Sequence, residues 1–250
     1  MTDGIRTILK DESAQVSYLD RGRRRAADLR HEQGAGAGAA ELVLRTLPGW
    51  SLSCDEELGR ALLAAGARLT RHGHVYQWDL IAVPPEPSWR TPRLAQGLTL
   101  LPVAAVPAPQ LDPVVLAAYP VGHPDHPPAR EGALPHGERE LVETFRGLWT
   151  GELAGPPLPG SAAVCGEDGP VAAVVVSATT AGPWITQLLR LPGPRTAGLG
   201  TALLRRVLAV AADGGAPSIG LTVTEGNPAR ARYERIGFRR STGRMDLTAP

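Results

Sequence analysis

Arg195-Thr196-Ala197-Gly198-Leu199-Gly200 is the stretch of sequence that decides the fold. It follows residues 184–191, which are rich in β-formers, and precedes residues 201–212, where apolar side chains recur with helical spacing. Two glycines without Cβ atoms let successive backbone N–H groups face one concavity, and the helix adds the positive end of its dipole. The stretch therefore predicts a pyrophosphate-binding loop between a strand and a helix.

The same loop has a second interpretation, because glycine-rich turns between strands and helices also occur for packing alone. Its spacing matches neither the nucleotide P-loop nor the full dinucleotide G-x-G-x-x-G pattern. A second block of sequence, residues 227–238, adds to the evidence from this loop. That block predicts a helix with Asn227 as its cap, Pro228 in its first turn and Gly237 at its end.

The remaining elements predict an α/β (α+β) chain with a mixed sheet. Strands are predicted over residues 41–46, 74–83, 98–103, 161–165, 171–178, 184–191, 218–224 and 238–247. Helices are predicted over residues 112–119, 137–149 and 201–212, and a further one from Ser53 to Gly66. Ser53 is taken as the start of that helix because Ser53 and Glu56 have capping-box spacing.

A proline cluster marks the boundary between two parts of the chain. Pro84-Pro85-Glu86-Pro87, with Pro92 after it, predicts a linker. We therefore expect an N-terminal segment over residues 1–92, a smaller α/β segment, and a second domain over residues 97–250.

Composition narrows the class of protein. Apolar residues make up 43% and charged residues 20%, and there is no apolar run of membrane-spanning length, so we expect no membrane partner. Residues 1–10 carry charges where a signal peptide needs an apolar stretch, which predicts a cytoplasmic location. The net charge of +1 provides no field for capturing nucleic acid. A monomer and a homodimer both remain open.

Local clusters predict no additional site. The basic group Arg21, Arg23, Arg24 and Arg25 is typical of a solvated helix face or a frayed segment. Cys54 and Cys165 lie far apart and lack CxxC partners, so neither a disulfide framework nor a metal site is expected, and both should be buried small apolar residues.

The two blocks together resemble the GNAT acetyltransferase superfamily. Residues 195–200 are similar to the R/Q-x-x-G-x-G/A loop with which these enzymes bind the pyrophosphate of coenzyme A. The second block is similar to the C-terminal signature of the family, with Ala229 four residues before Tyr233 and Gly237-Phe238 four after it. The resemblance covers residues 97–250 and implies the GNAT fold: a mixed central sheet with a splayed strand pair, flanked by helices.

The resemblance implies acetyl transfer from acetyl-CoA, the co-substrate, to an amine of a small molecule, by direct attack in a ternary complex. The implied cofactor-binding residues are Leu189, Arg190 and Leu191 on the splayed strand, Arg195, Thr196, Ala197, Gly198, Leu199, Gly200 and Thr201 in the loop, and Asn227. In the family, the asparagine lies one place earlier, where this chain has Gly226, so capping its helix is the alternative role of Asn227.

The resemblance also implies a general acid. Tyr233 matches the tyrosine that protonates the departing thiolate, and its alternative role is that of a core aromatic. Many relatives carry a carboxylate on the splayed strand, but residues 184–191 contain none. Glu225 is the predicted catalytic substitute. The group of His123, Asp125 and His126, or a water relay, are the alternatives.

A weaker similarity lies inside the chain. Residues 58–80 resemble residues 230–247 in layout, with Leu62 where Tyr233 stands. This predicts that residues 41–83 are a degenerate C-terminal half of a second GNAT unit, without a pyrophosphate loop; a chance helix-glycine-strand pattern is the alternative. Two other functions also remain open: an acyl-CoA-binding module without catalysis, and acetylation of a protein or peptide amine.

Overall fold

The computed structural model describes residues 5–126, 136–179 and 182–250, which divide into two compact units. The larger unit comprises Tyr76–Thr222 and Gly226–Arg239. The smaller unit comprises the described residues up to Val75, together with Val223–Glu225 and Arg240–Pro250. None of the helices in the described ranges combines the length and apolar character needed to span a bilayer.

The smaller unit is an α/β assembly around its own core. Its elements are β1 (Ile5–Lys10), β2 (Ala14–Asp20), β3 (Arg25–Gly34), α1 (Gly36–Thr46), β4 (Ser51–Asp55), α2 (Glu56–Ala64), the first part of β5 (Arg68–Asp79) and most of a last strand (Arg239–Thr248). β1, β2 and β3 form an antiparallel meander, β3 pairs with β4 in parallel, and the last strand pairs antiparallel with β4. The core between sheet and helices includes Val16, Leu29, Val43, Leu52 and Leu62.

The larger unit has a mixed sheet covered by helices. After the end of β5, its elements are β6 (Thr99–Pro102), α3 (Asp112–Ala118), α4 (His136–Thr150), β7 (Ala162–Gly166), β8 (Gly169–Thr179), β9 (Gly182–Arg190), α5 (Leu199–Asp213), β10 (Ser218–Thr224) and α6 (Ala229–Ile236); the last strand, Arg239–Thr248, is β11. The strands follow the order β10-β9-β8-β7-β6, antiparallel except for the parallel pair β10–β9.

The central strand of the larger unit explains why this sheet forms. Residues 172–176 of β8 are all buried; they are two alanines followed by three valines, and none of them has a polar side chain. Such a strand needs cover on both faces, and α3, α4 and α5 all contact it. The predicted mixed α/β fold is therefore confirmed.

One predicted strand is wrong. Residues 41–46 lie in α1, whose buried face consists of Ala39, Ala40, Leu42 and Val43. The helical spacing becomes visible only when the alanines before Glu41 are counted as apolar positions, because Ala is the strongest helix former. The short run read alone was compatible with either element.

The predicted start of the next helix is also wrong. Ser53 belongs to β4, and its hydroxyl donates to Asp246 at 2.5 Å. α2 begins at Glu56, after Asp55, whose carboxylate accepts the N–H of Leu58 at 2.9 Å. Strand pairing with β11 thus holds Ser53 extended, and the neighbouring aspartate serves as the cap.

Three smaller differences concern strand ends and side chains. β5 ends at Asp79, four residues before the predicted end, because the Asp79 carboxylate accepts the N–H groups of Ile81 and Ala82 in a turn. The arginine cluster that begins at Arg21 lies at the turn between β2 and β3 and not on a helix. Cys165 is only half-buried, whereas Cys54 is buried.

Asp55→Ala should lower the free energy of unfolding by about 1 kcal/mol, because Leu58 loses the acceptor for its N–H group. Asp55→Asn is the matched control, since asparagine caps as well as aspartate. Urea denaturation followed by circular dichroism measures both. An equal loss in the two variants would mean that the charge, and not the cap, stabilises this region.

Candidate active site

β9 and β10 separate partway along their length. Within the described strands, their paired residues are Gly220 with Trp184 and Leu221 with Ile185. Beyond these pairs, β9 continues to Arg190 in register with β8 only, after a bulge at the position of Thr186. The carboxyl-terminal ends of two parallel neighbours are thereby splayed, which leaves a gap lined by backbone groups of β9.

The direction of the N–H groups along β9 decides which of them face this gap. The N–H of Leu191 donates to Val171 on the β8 side at 2.8 Å. Because N–H groups alternate along a strand, the N–H of Leu189 also faces β8, and those of Leu188 and Arg190 face the gap. Leu188 was absent from the predicted residues, although counting back from the end of the strand would have found it.

The turn after β9 places a helix terminus beside the gap. Gly198 has φ 85° and directly precedes α5, whose first turn has no side-chain cap. The first intrahelical bond is donated by Ala202 to the Gly198 carbonyl at 3.0 Å, so the N–H groups of Leu199, Gly200 and Thr201 precede the helical ladder. Such a set of donors suits an anion.

Two polar side chains hold the turn itself. The Thr196 hydroxyl is buried and lies 2.6 Å from the Leu191 carbonyl and 3.1 Å from that of Gly193. The guanidinium of Arg190 donates to this hydroxyl at 2.9 Å and to the Leu191 carbonyl at 2.8 Å. The side chains of Thr196 and Arg190 are thus occupied in shaping the loop, and their backbone is what they can offer a ligand.

Cationic side chains flank the start of α5. Arg195 is exposed in the turn, as are Ala197 and Gly198. A Cβ atom built on Gly200 would lie 3.4 Å from Nη1 of Arg232, so the guanidinium of Arg232 lies against the first turn of α5. Glycine at position 200 leaves room for that charge. Arg232, which precedes Tyr233 in α6, was not among the predicted binding residues.

Tyr233 is the buried residue of α6. Its ring packs edge-on against Phe238 at 6.1 Å between centroids, so it has a packing role as well. Burial, together with the negative charge of Asp125, raises the pKa of Tyr233 to about 12, and the positive charge of Arg232 opposes this shift. The phenol is therefore protonated throughout the physiological pH range and available as a donor.

Asn227 is engaged at the start of α6. Its Oδ1 accepts the N–H of Ala229 at 2.8 Å, and its Nδ2 donates to Asp125 at 2.6 Å. Gly237, with φ 127°, follows the last residue of the helix, as predicted. The observed role of Asn227 is thus the capping one, and its contact to the cofactor stays a prediction.

The loop after α3 carries the polar groups nearest to Asn227. Tyr119 donates to Gln187 of β9 at 2.9 Å, and its ring lies edge-on to His123 at 5.1 Å. The N–H of Asp125 donates to Nδ1 of His123 at 3.1 Å, which assigns the proton of the neutral ring to Nε2. Burial lowers the pKa of His123. His123 therefore has its acceptor nitrogen occupied, and Asp125 is the carboxylate near Tyr233.

Glu225, the predicted catalytic carboxylate, belongs to the smaller unit. Its side chain hydrogen-bonds to Nε2 of His74, and its N–H donates to the His72 carbonyl at 2.7 Å. Its catalytic role stays a prediction.

The smaller unit contains a glycine run that the sequence interpretation missed. Gln33-Gly34-Ala35-Gly36-Ala37-Gly38 has the spacing of residues 195–200, and it likewise joins a strand to a helix, β3 to α1. The expectation that this unit has no pyrophosphate loop stays a prediction. A Cβ on Gly34 would lie 2.1 Å from the Ser13 carbonyl oxygen, so the turn between β1 and β2 lies against this run.

Known proteins share the sequence pattern and the fold of this chain. Residues 128–238 match the model of the Acetyltransferase (GNAT) family. A GCN5-related N-acetyltransferase from Sphaerobacter thermophilus shares the fold with a TM-score of 0.59, at 18% identity over 94% of this chain and 76% of that chain. A GCN5-related N-acetyltransferase from Kribbella flavida gives a TM-score of 0.57, at 17% identity over 98% and 90% of the two chains.

A tandem GNAT protein from the clavulanic acid biosynthesis pathway is also similar, with a TM-score of 0.56 and 16% identity over 95% of this chain and 78% of that chain. No curated protein matches the chain in sequence.

The splayed strand pair and the helix terminus that follows it belong to the fold that this chain shares with those solved structures. The match of residues 128–238 to the GNAT family model confirms the predicted resemblance, and that family implies acyl-CoA-dependent acetyl transfer.

Proposed function

We propose that this protein transfers the acetyl group of acetyl-CoA to an amine of a small molecule, by direct attack in a ternary complex. The observation that carries the proposal is the splay of β9 from β10 beyond Ile185 and Leu221, with the uncapped N-terminus of α5 following the same strand. The N–H groups at the strand edge suit the thioester end of an acyl-CoA. The helix terminus suits its pyrophosphate.

Coenzyme A would be bound from its pyrophosphate to its thioester along β9 and α5. The N–H groups of Leu199, Gly200 and Thr201 would bind the pyrophosphate, and Arg195 and Arg232 would add positive charge. The exposed backbone of Ala197 and Gly198, on the turn shaped by Thr196, lets the phosphates approach.

The thioester end would lie in the gap. The N–H groups of Leu188 and Arg190 face it and can donate to the pantetheine arm and the thioester carbonyl. A neutral amine attacks the carbonyl carbon, the oxyanion that develops is stabilised by such a donor, and the C–S bond breaks as the amide bond forms. The leaving thiolate takes a proton, and the attacking nitrogen loses one.

Tyr233 and Asp125 supply the two proton transfers. The buried phenol of Tyr233 stays protonated and can donate to the thiolate. The carboxylate of Asp125 is held by Asn227 and acts on Tyr233 electrostatically. From this position it would attract the ammonium group of the acceptor and take up its proton. A single half-buried carboxylate suits one amine of a small acceptor.

Calorimetric titration with acetyl-CoA, followed by thiol release against a mixed panel of amines and short peptides, tests the proposal. We expect binding, and thiol release with a small amine. Binding without release would favour a non-catalytic acyl-CoA-binding module, release with peptides alone would move the acceptor to proteins, and no binding would overturn the proposal.

Gly198→Asn should weaken acetyl-CoA binding about tenfold or more, equivalent to about 1.4 kcal/mol, because its side chain obstructs the donors of α5. Asparagine tolerates positive φ, so the fold should survive. Gly215→Asn is the matched control, since Gly215 has a similar φ of 77° just past the other end of the same helix, with open space for a side chain. Equal affinities in the two variants would remove the pyrophosphate assignment.

Tyr233→Phe should lower kcat about 100-fold with little change in the dissociation constant of acetyl-CoA, because the variant keeps the ring and loses the proton. With a pKa of about 12, the phenol should cause no alkaline decline in kcat below pH ~11. Tyr18→Phe, at a buried tyrosine of the smaller unit, is the control. An unchanged kcat in Tyr233→Phe would leave this residue a core aromatic only.

Asp125→Asn should lower kcat/KM by about 100-fold, since the amide keeps an acceptor for Asn227 but cannot take up the proton. Asp168→Asn, at an exposed turn aspartate of the same unit, is the control. Full activity in Asp125→Asn together with a loss in Glu225→Gln would transfer the role of base to Glu225.

A further inference from the structure

Three potential metal ligands meet inside the smaller unit. Glu56 is the first residue of α2, and His72 and His74 lie two residues apart on β5, so their side chains share one face of that strand. Their ligand atoms all lie within 4.8 Å of one another. The imidazole rings are 4.6 Å apart between centroids, and His72 Nε2 is 2.7 Å from Glu56 Oε1.

The side chain of His74 has a buried nitrogen atom, Nδ1, without a hydrogen-bond partner, and this indicates a cation site. Its side chain is 3% exposed, and Nδ1 is the buried side-chain N or O atom without a hydrogen bond in the described part of the chain. Nε2 hydrogen-bonds to the Glu225 carboxylate, so the neutral ring carries its lone pair on Nδ1. That lone pair lies 3.9 Å from Oε1 of Glu56, another acceptor. A cation placed between the two atoms would give the buried Nδ1 the partner that it lacks.

We propose that Glu56, His72 and His74 bind a zinc ion, with Glu225 positioning His74 from its other nitrogen. A carboxylate behind a metal-bound histidine fixes the tautomer and strengthens the ligand, which is the arrangement of Glu225 and His74. Two imidazoles and one carboxylate form a ligand set of zinc, and a water molecule completes the tetrahedron. Zinc bonds of about 2.0–2.2 Å place tetrahedral ligand atoms about 3.4 Å apart, so small movements of the three groups would suffice.

The site is accessible and shaped for the Glu56 carboxylate. Side chains of His72 and Glu56 are 24% and 19% exposed, so an ion can enter and keep a water ligand. A Cβ atom on Gly243 of β11 would lie 2.0 Å from the Glu56 carboxyl group, so glycine there leaves the space that this group occupies.

Two arginines compete with the ion for Glu56. Arg240 donates to Oε1 at 2.6 Å, and Arg60, 71% exposed, lies 3.4 Å from Oε2. Arg240 therefore supplies the positive charge next to Oε1 when no ion is bound. Its side chain is 41% exposed, so zinc can displace it into solvent without burying an unpaired charge.

Zinc binding to the untagged full-length protein, measured by calorimetry and by the zinc content after dialysis, tests the proposal. We expect one ion per chain and a higher melting temperature, because the ion joins α2 to β5. His72→Gln combined with His74→Gln should abolish binding, and Glu225→Gln should weaken it about 10- to 100-fold. Arg240→Ala should increase the affinity for zinc, because the arginine no longer competes for Glu56. If the cluster is only a network of ion pairs, this variant should not increase zinc affinity.

Controls separate this cluster from other histidines. His31→Gln in the same unit, and His123→Gln with His126→Gln in the larger unit, should retain wild-type zinc affinity. Circular dichroism and the melting temperature without zinc show whether each variant folds. If the double variant does not fold, the single variant His72→Gln tests zinc binding instead, because His72 is partly exposed and its replacement should preserve the fold. Equal zinc affinity in wild-type and His72→Gln protein, or no binding by the wild type, would overturn the proposal.

Discussion

The constraint on which the active site depends is the loss of pairing between β9 and β10 after Ile185 and Leu221. In a regular sheet, the N–H groups of Leu188 and Arg190 would donate to the neighbouring strand, and no backbone donor would remain for a ligand. Gly220 allows close contact at the first of the two pairs, because a Cβ there would lie 2.3 Å from the Trp184 ring. The strands part after the next pair, Leu221 with Ile185.

The loop before α5 and the first turn of α5 also leave backbone N–H groups available for a ligand. α5 starts without a side-chain cap, and the polar side chains available nearby, Thr196 and Arg190, bond to the preceding turn instead. A helix terminus without a protein partner retains its donors for an anion. Because Thr196 and Arg190 bond within the turn, they stabilise the turn and also leave the N–H groups at the start of α5 without a side-chain cap.

The two units share an order of elements and a sense of strand pairing. In each, antiparallel strands lead into a glycine run and a helix, and then into a strand parallel to the one before the run: β3 with β4, and β9 with β10. A helix, a glycine of positive φ and a further strand follow in both, at Gly66 and Gly237. Leu62 in the smaller unit gives no proton donor where α6 has Tyr233, and the degenerate second GNAT half stays a prediction.

Local sequence by itself determined the glycine loop, the helix between Asn227 and Gly237, and the alternation of strands and helices over the larger unit, because backbone freedom, capping and periodicity act over a few residues. Only tertiary structure decided that residues 41–46 are helical and that Ser53 pairs in a strand, since burial and strand partners override short patterns. It alone directed the N–H of Leu188 into the gap and placed Glu56 beside His72 and His74. Glu56 is separated by 16 residues from His72, and a contact between them depends on how α2 packs on β5, which no local pattern encodes.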